Sequence, residues 1–223
     1  MPALTLEHVN KKFGHATNEV TVLTDVNFEA EAGQVSLVIG PSGSGKSTFL
    51  TIAGGIQTPT AGEVRVENQS LDQLAGKARD AMRLNKIGFI LQAYNLIPYL
   101  SVKDQFALVD RVKPQGNLTP AELAKLLDQL GIANLTNQYP GELSGGQTQR
   151  VAIARALYQN PDIILADEPT AALDSDRVKV VGQLLHDLAK QHHKAIVVVT
   201  HDLRLQEFAD KTYAIMDGKM TLA

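Results

Sequence analysis

Three stretches of this chain are apolar at almost every position: Val35–Ile39, Ile163-Ile164-Leu165-Ala166 and Ala195–Val199. A strand covered on both faces reads this way, because neither set of alternating side chains meets water; a parallel sheet between helices is the usual setting. Ile87-Gly88-Phe89-Ile90-Leu91 is a weaker fourth candidate. Shorter alternating runs around Leu4, Leu6 and Val9, around Val20, Val22 and Leu23, and across Gly62–Val66 predict antiparallel strands, punctuated by Gly14 and Gly33. The period then changes. Thr119-Pro120-Ala121-Glu122 is a capping box with proline in the first helical position, Leu123, Leu126, Leu127 and Leu130 repeat at helical spacing, and Gly131 ends the run. Val178, Val181, Leu184, Leu185 and Leu188 mark a second amphipathic helix, and the whole stretch from about 93 to 160 is predicted to be helical. Thr212–Met216, Asp217-Gly218 and Lys219–Leu222 predict a closing hairpin. The apolar stripes are core faces; the chain has no repeats and no low-complexity tract.

The first of the apolar runs leads into Gly40-Pro41-Ser42-Gly43-Ser44-Gly45-Lys46-Ser47-Thr48, and a short helix is predicted from Lys46 to Ala53, stopped by Gly54-Gly55. This is a P-loop in its expected strand–loop–helix context. Its glycines let backbone N–H groups approach a polyphosphate, and the helix directs its positive end at the same anion. Lys46 adds a cation for the β- and γ-phosphates, and Ser47 offers a hydroxyl to Mg²⁺. The chain is therefore expected to bind a nucleoside triphosphate.

Composition narrows the setting. The 223 residues are 44% hydrophobic and 20% charged, ordinary values for a globular chain with a full core. A net charge of −3 argues against nucleic acid as a partner. There is no cysteine, hence neither a disulfide framework nor a cysteine metal site, which fits a reducing cytoplasm. Met1–Glu7 lacks a cationic start and a long apolar run, so no signal peptide is read there. No apolar run reaches the roughly 20 residues needed to cross a bilayer. A membrane role would need other chains to supply the spans.

A second phosphate-binding pattern lies far along the chain. In Leu143-Ser144-Gly145-Gly146-Gln147, Ser144 reads as an N-cap and Gln147 as its capping-box partner, and the two glycines leave the helix-start amides accessible. Leu143–Gln147 resembles the signature motif of ABC-type ATPases. In that family this helix end completes the ATP site on a partner subunit, two subunits closing head to tail. The resemblance extends over the whole chain, in the family's order. Phe13 matches the aromatic that stacks on adenine. Gln92 matches the glutamine that reaches Mg²⁺ and senses the γ-phosphate. Ile163–Glu168 matches the Walker B strand, with Asp167 for the Mg²⁺ shell and Glu168 to orient or deprotonate the attacking water. Ala171-Ala172-Leu173-Asp174 matches the dimer-contact loop, and His201, following a buried strand, matches the switch histidine. His8, His15, His186, His192 and His193 have no such context and read as surface or fold residues. Three positions depart from the family pattern: Phe13 stands where tyrosine is commoner, Thr148 where glutamine or glutamate is usual, and Ala171 where serine or glycine is common.

The resemblance implies an α/β fold: a P-loop NTPase core with a mixed, mainly parallel sheet, an antiparallel β subdomain and an α-helical subdomain. Residues 1–92 and 161–223 would form a RecA-like core with the β subdomain, and 93–160 the helical part carrying the signature, all within one ABC ATPase domain over 1–223. It implies ATP and Mg²⁺ as cofactors, a homodimer, and separate integral membrane permease subunits, two copies expected. The protein would then sit peripherally on the cytoplasmic face of the membrane. Only 50 residues separate Gln92 from Leu143 (143 − 92 − 1), too few for the coiled-coil insertions of DNA-repair relatives. Ile52–Gly55, Pro59–Gly62 and Ile87–Gln92 resemble the macrolide, lipoprotein, bacitracin-resistance and cell-division group. Leu96–Val102 and His201–Asp210 look most like the ATPase subunit of bacterial heme exporters. An ATP-driven regulator that transports nothing, or an exporter of lipoprotein, macrolide or peptide, would share these motifs. A P-loop kinase would have no use for the signature helix. Tyr94–Tyr99 is expected to help grip the permease's cytoplasmic helix through Leu96 and Tyr99.

Overall fold

The computed structural model describes residues 1–14 and 18–223; His15 lies outside the described residues. Two sheets organise the chain. The first is antiparallel and contains β1 (Pro2–Phe13), β2 (Val20–Glu31), β4 (Ala61–Val66) and β5 (Gln69–Ser70), in the order β2-β1-β4-β5. The second contains β3 (Val35–Ile39), β6 (Ile87–Ile90), β7 (Ile163–Asp167), β8 (Ala195–Thr200), β9 (Lys211–Met216) and β10 (Lys219–Leu222). Its order is β10-β9-β3-β8-β7-β6, parallel throughout except for the β9–β10 hairpin. That hairpin turns on Asp217 at φ +47° and Gly218 at φ +75°, the two left-handed residues that a two-residue turn of the favoured hand requires.

The continuous apolar runs are explained by burial on both faces. Ile163, Leu165, Val197 and Val199 pack toward the antiparallel sheet, together with Phe49, Leu50 and Ile52 of α1 (Lys46–Ala53). Ile164, Ala166, Ile196 and Val198 pack on the opposite face, with α5 (Gly145–Tyr158) and α6 (Ser175–His192). Each strand therefore feeds two cores with alternate residues. The second core continues into the helical region, where α3 (Val102–Val112) and α4 (Pro120–Gln129) contribute Val102, Phe106, Leu126 and Leu127.

Three helix starts are fixed by capping boxes: Ser101 with Asp104, Thr119 with Glu122, and Ser144 with Gln147. The expected stop at Gly131 is present, with Leu130 as C-cap and Gly131 at φ +62°. One helix was not expected: α2 (Gly76–Lys86), between β5 and β6, buries no residue and has no side-chain cap.

Register sets the functional edge. Ile39 lies opposite Thr200, and Asp167 opposite Val199. The carboxyl ends of β3, β7 and β8 thus fall together, so the loop from Gly40, Glu168 and His201 emerge side by side. Ligands of open parallel sheets bind along this kind of edge.

Candidate active site

At that edge lies a cleft of about 560 Å³. Ser42, Gly43, Gly45, Lys46, Ser47 and Thr48 line one side; Gln92, Asp167, Glu168 and His201 line the other. Ten of the residues expected at a nucleotide site are therefore in one place. The loop needs its glycines. A Cβ on Gly40 would come within 2.3 Å of the Ile215 carbonyl oxygen, and Gly45 is at φ +103° against Val22 and Leu23. Gly43 is also left-handed, at φ +80°.

Lys46 is buried, and its Nζ donates to the carbonyls of Gly40 at 2.7 Å and Pro41 at 2.9 Å. The two carbonyls fix the direction of the ammonium at the mouth of the loop. The buried Ser44 hydroxyl oxygen has no partner among the described residues. The oriented ammonium and the loop backbone leading into α1, both lining the cleft, are the donors a polyphosphate would occupy. Burial pushes the Asp167 carboxyl above its ordinary range, and Glu168 adds to this, while the Ser47 hydroxyl and Lys46 oppose it. A divalent cation at Ser47 and Asp167 would favour the ionised form, so these residues fit Mg²⁺.

Glu168 has an unusual backbone, at φ +49°. For a residue with a side chain this costs about 1–3 kcal/mol and persists only where the surroundings over-determine it. They do so here. Its N–H donates to Val199 O at 2.9 Å. Its carboxylate accepts from the Thr200 hydroxyl at 2.6 Å and the His201 N–H at 3.1 Å, and lies 2.8 Å from His201 Nδ1. The Glu168 side chain is only 9% exposed, whereas that of His201 is 73% exposed. Glu168 and His201 therefore touch, a contact with no trace in their sequence separation.

The remaining expected site residues stand elsewhere. Phe13 ends β1, 42% exposed, with Lys11 Nζ 4.9 Å from its ring centre. Ser144 and Gly145 are exposed, and Gly146 and Gln147 half-buried, at the start of α5 and outside the cleft. The capping box is formed: Ser144 Oγ accepts from Gln147 N at 3.3 Å, and Gln147 Oε1 accepts from Ser144 N at 2.7 Å. The start of a 14-residue helix, which carries roughly half a positive charge, thus lies at the surface at Ser144 and Gly145. Asp174 is the N-cap of α6, accepting from Arg177 N at 2.9 Å. Its local role is a helix cap, and it does not line the cleft.

Several contributors escaped the sequence. Thr200 holds Glu168 and also accepts from Asp202 N at 2.9 Å. Arg155, on α5, donates to Tyr94 O and Asn95 O at 3.1 and 2.7 Å, fixing the segment just past Gln92. Asp202 accepts from Thr170 at 2.9 Å and takes both Nε and Nη2 of Arg204 at 2.8 Å, joining the loops after β7 and β8. The Arg204 hydrogen bond leads in holding the Asp202 carboxyl below its usual range. Its contribution to stability is thus present above the unfolded carboxyl pKa of about 4 and lost as pH falls through the lower folded value. Asp202→Asn is expected to cost about 1 kcal/mol near pH 7. Thermal melts from pH 7 to pH 3 check this: the gap to the native protein should close with acid, and a gap that widens would refute the account.

Known proteins resemble this chain in sequence and in fold. The family model described as ABC transporter matches residues 23–171. Two relatives named hemin import ATP-binding protein HrtA are each 42% identical: one from Staphylococcus aureus (strain bovine RF122 / ET3-1), covering 98% of this chain and 99% of its own, and one from Staphylococcus epidermidis, covering 97% and 98%. Among solved structures, a dimeric structure of MJ0796, a bacterial ABC transporter cassette, superposes with a TM-score of 0.90 at 38% identity, over 97% of this chain and 95% of that one. A post-hydrolysis dimer of the same cassette bound to ADP and Pi gives 0.88 at 39% identity, over 98% of each chain. Matched by that family model over most of its length and by these relatives over nearly all of it, this chain belongs to the ABC transporter family, as an ATP-binding and ATP-hydrolysing cassette.

Proposed function

We propose that the chain drives hemin export as a head-to-tail homodimer attached to two copies of a separate membrane permease, at the cytoplasmic face of the membrane. One observation carries the dimer: Lys46, Gln92, Asp167, Glu168 and His201 line one cleft, while the capped start of α5 stands exposed outside it. An anion site so far from the P-loop finds its use on a second copy. Segment 93–160 would move as the helical subdomain, carrying that helix end against the remaining core of residues 1–92 and 161–223.

In this reading Lys46 and the amides of Ser42–Thr48 bind the β- and γ-phosphates of ATP, and Phe13 stacks on adenine. Ser47, Gln92 and Asp167 would hold Mg²⁺, which neutralises phosphate charge when bound. Glu168 accepts a proton from the attacking water as the new oxygen–phosphorus bond forms and ADP leaves. His201 donates to the γ-phosphate. Ser144–Gln147 of the partner copy completes the site, with Asp174 at the contact between copies. No helix among the described residues is long and apolar enough to cross a membrane, so flux needs the permease.

Tyr94–Tyr99 supports the permease contact. Arg155 and Gln105 pin its backbone, and Tyr99 is 77% exposed. Gln105 and Arg155 also line an adjoining cleft of about 530 Å³ with apolar walls from Ile56, Leu84, Leu108 and Val112. Leu96 packs on the helical core and is not the free contact its sequence context suggested. Tyr99→Glu should therefore uncouple the complex where Leu96→Glu would unfold part of it.

The names of the staphylococcal relatives support hemin and carry the word import; the resemblance of Leu96–Val102 and His201–Asp210 to exporters supports outward movement. The test is the native complex, co-purified with its permease and reconstituted in vesicles. ATP on the cassette side should drive hemin away from that side, and Tyr99→Glu should abolish flux. Hemin moving toward the cassette side would reverse the direction. ATP turnover that moves no hemin would leave a non-transporting regulator, or an exporter of another cargo.

A further inference from the structure

Gln149 is 2% exposed and both ends of its amide are engaged. Its Nε2 donates to the Glu168 carbonyl at 3.1 Å, and its Oε1 accepts from Ala172 N–H at 3.1 Å. One side chain on α5 therefore clasps the 168–172 turn at both ends. The clasp sits close to the signature: Gln149 follows the Ser144 cap by five positions, and a Cβ on Gly146 would lie 3.1 Å from Ala172 O. The start of α5 is thus in direct contact with the Glu168 turn.

The side held by Gln149 matters. Val199 and Thr200 of β8, with His201, restrain the Glu168 N–H and carboxylate. The carbonyl is restrained by Ala171 N–H within its own turn and, from outside it, by Gln149. The strained peptide is gripped by strand and helix together, so a shift of the helix bears on it through this one carbonyl. We infer that Gln149 is a positioning residue for hydrolysis: through the Glu168 carbonyl it ties the direction of the Glu168 carboxylate to the placement of the signature helix. Closure of a partner on Ser144–Gly146 then reaches the water-directing group of the same chain, with a neutral amide as the link. Only a group with both a donor and an acceptor at this reach can make it; asparagine has the groups but is one methylene short.

The inference rests on Glu168 as the water-directing group. The test compares Gln149→Met, which keeps the shape and loses both bonds, with Gln149→Glu assayed in the alkaline range, where the ionised carboxylate keeps the acceptor for Ala172 N–H and has no hydrogen for the Glu168 carbonyl. Steady-state ATPase, equilibrium ATP binding and thermal melts are measured on the purified dimer. Both variants should lose roughly tenfold or more in kcat, with KM and ATP affinity within about twofold, since a displaced reacting group slows chemistry without weakening binding. A folded Gln149→Met protein with native kcat overturns the inference. So does native kcat in Gln149→Glu, which also decides the matter if the methionine variant fails to fold. Glu168→Gln is assayed in parallel. If that variant still turns over, the reading of Glu168 has failed; if it is inactive while Gln149→Met is native-like, only the clasp has.

Discussion

Replacing Glu168 with Gln should abolish turnover while ATP still binds. The substitution changes two atoms' chemistry and little else. The amide keeps one oxygen, which can accept from the Thr200 hydroxyl as Oε2 does now, while its NH2 takes the place of the Oε1 that accepts from the His201 N–H. It keeps the volume of a side chain that is nearly enclosed. It loses the negative charge and the capacity to take a proton. Loss of a positioned general base costs about 10²- to 10⁴-fold in rate. The P-loop side of the cleft, with Lys46 already aligned on two carbonyls, is untouched. The variant should therefore bind ATP with native affinity and accumulate as a closed dimer. Equilibrium binding, phosphate release and size-exclusion chromatography with ATP read the three parts separately. Near-native phosphate release would remove Glu168 from the chemistry.

Two inactive variants should recover activity when mixed, and this is the sharper result for the shared site. Lys46→Ala removes the buried ammonium at the P-loop. Gly146→Asp sets a negative side chain at the start of α5, where a Cβ would already sit 3.1 Å from Ala172 O and 3.3 Å from Leu173 Cδ2. Each homodimer then has two defective sites. A mixed dimer has one site built from the intact P-loop of the Gly146→Asp copy and the intact helix end of the Lys46→Ala copy. Turnover should reappear on mixing and vanish when both substitutions lie in the same chain and that chain is mixed with itself. Gly146→Asp alone should bind ATP as a monomer with native affinity. Activity in either pure variant, or none in the mixture, would refute sharing of the site.

Much of the fold could be read from the chain because burial imposed a pattern. Val35–Val38, Ile163–Ala166 and Ala195–Val199 are buried on both faces, and their shortness, at four or five residues, marks them as strands rather than buried helices. The capped helices announced themselves through Thr119-Pro120 and Ser144. Helix α2 did not, because it buries none of its eleven residues and starts at Ala75 without a side-chain cap. At the site, the P-loop was legible because its spacing is local. Thr200, Gln149 and Arg155 were not. Their hydrogen bonds reach partners 32, 19 and about 60 positions away, and only the packed fold brings those groups together. Asp174 stands between these cases: its helix-capping hydrogen bond is local, but any duty between copies depends on a surface that one chain does not possess.

The paired contacts of Lys46 with Gly40 and Pro41 bear on how the loop tolerates its own charge. A cation left stranded in a protein interior invites collapse or rearrangement around it. Here both acceptors belong to the two residues that open the same loop, so one short segment carries the charge and steadies it. The brace is made of main chain, so no exchange of side chain at position 41 takes its oxygen away.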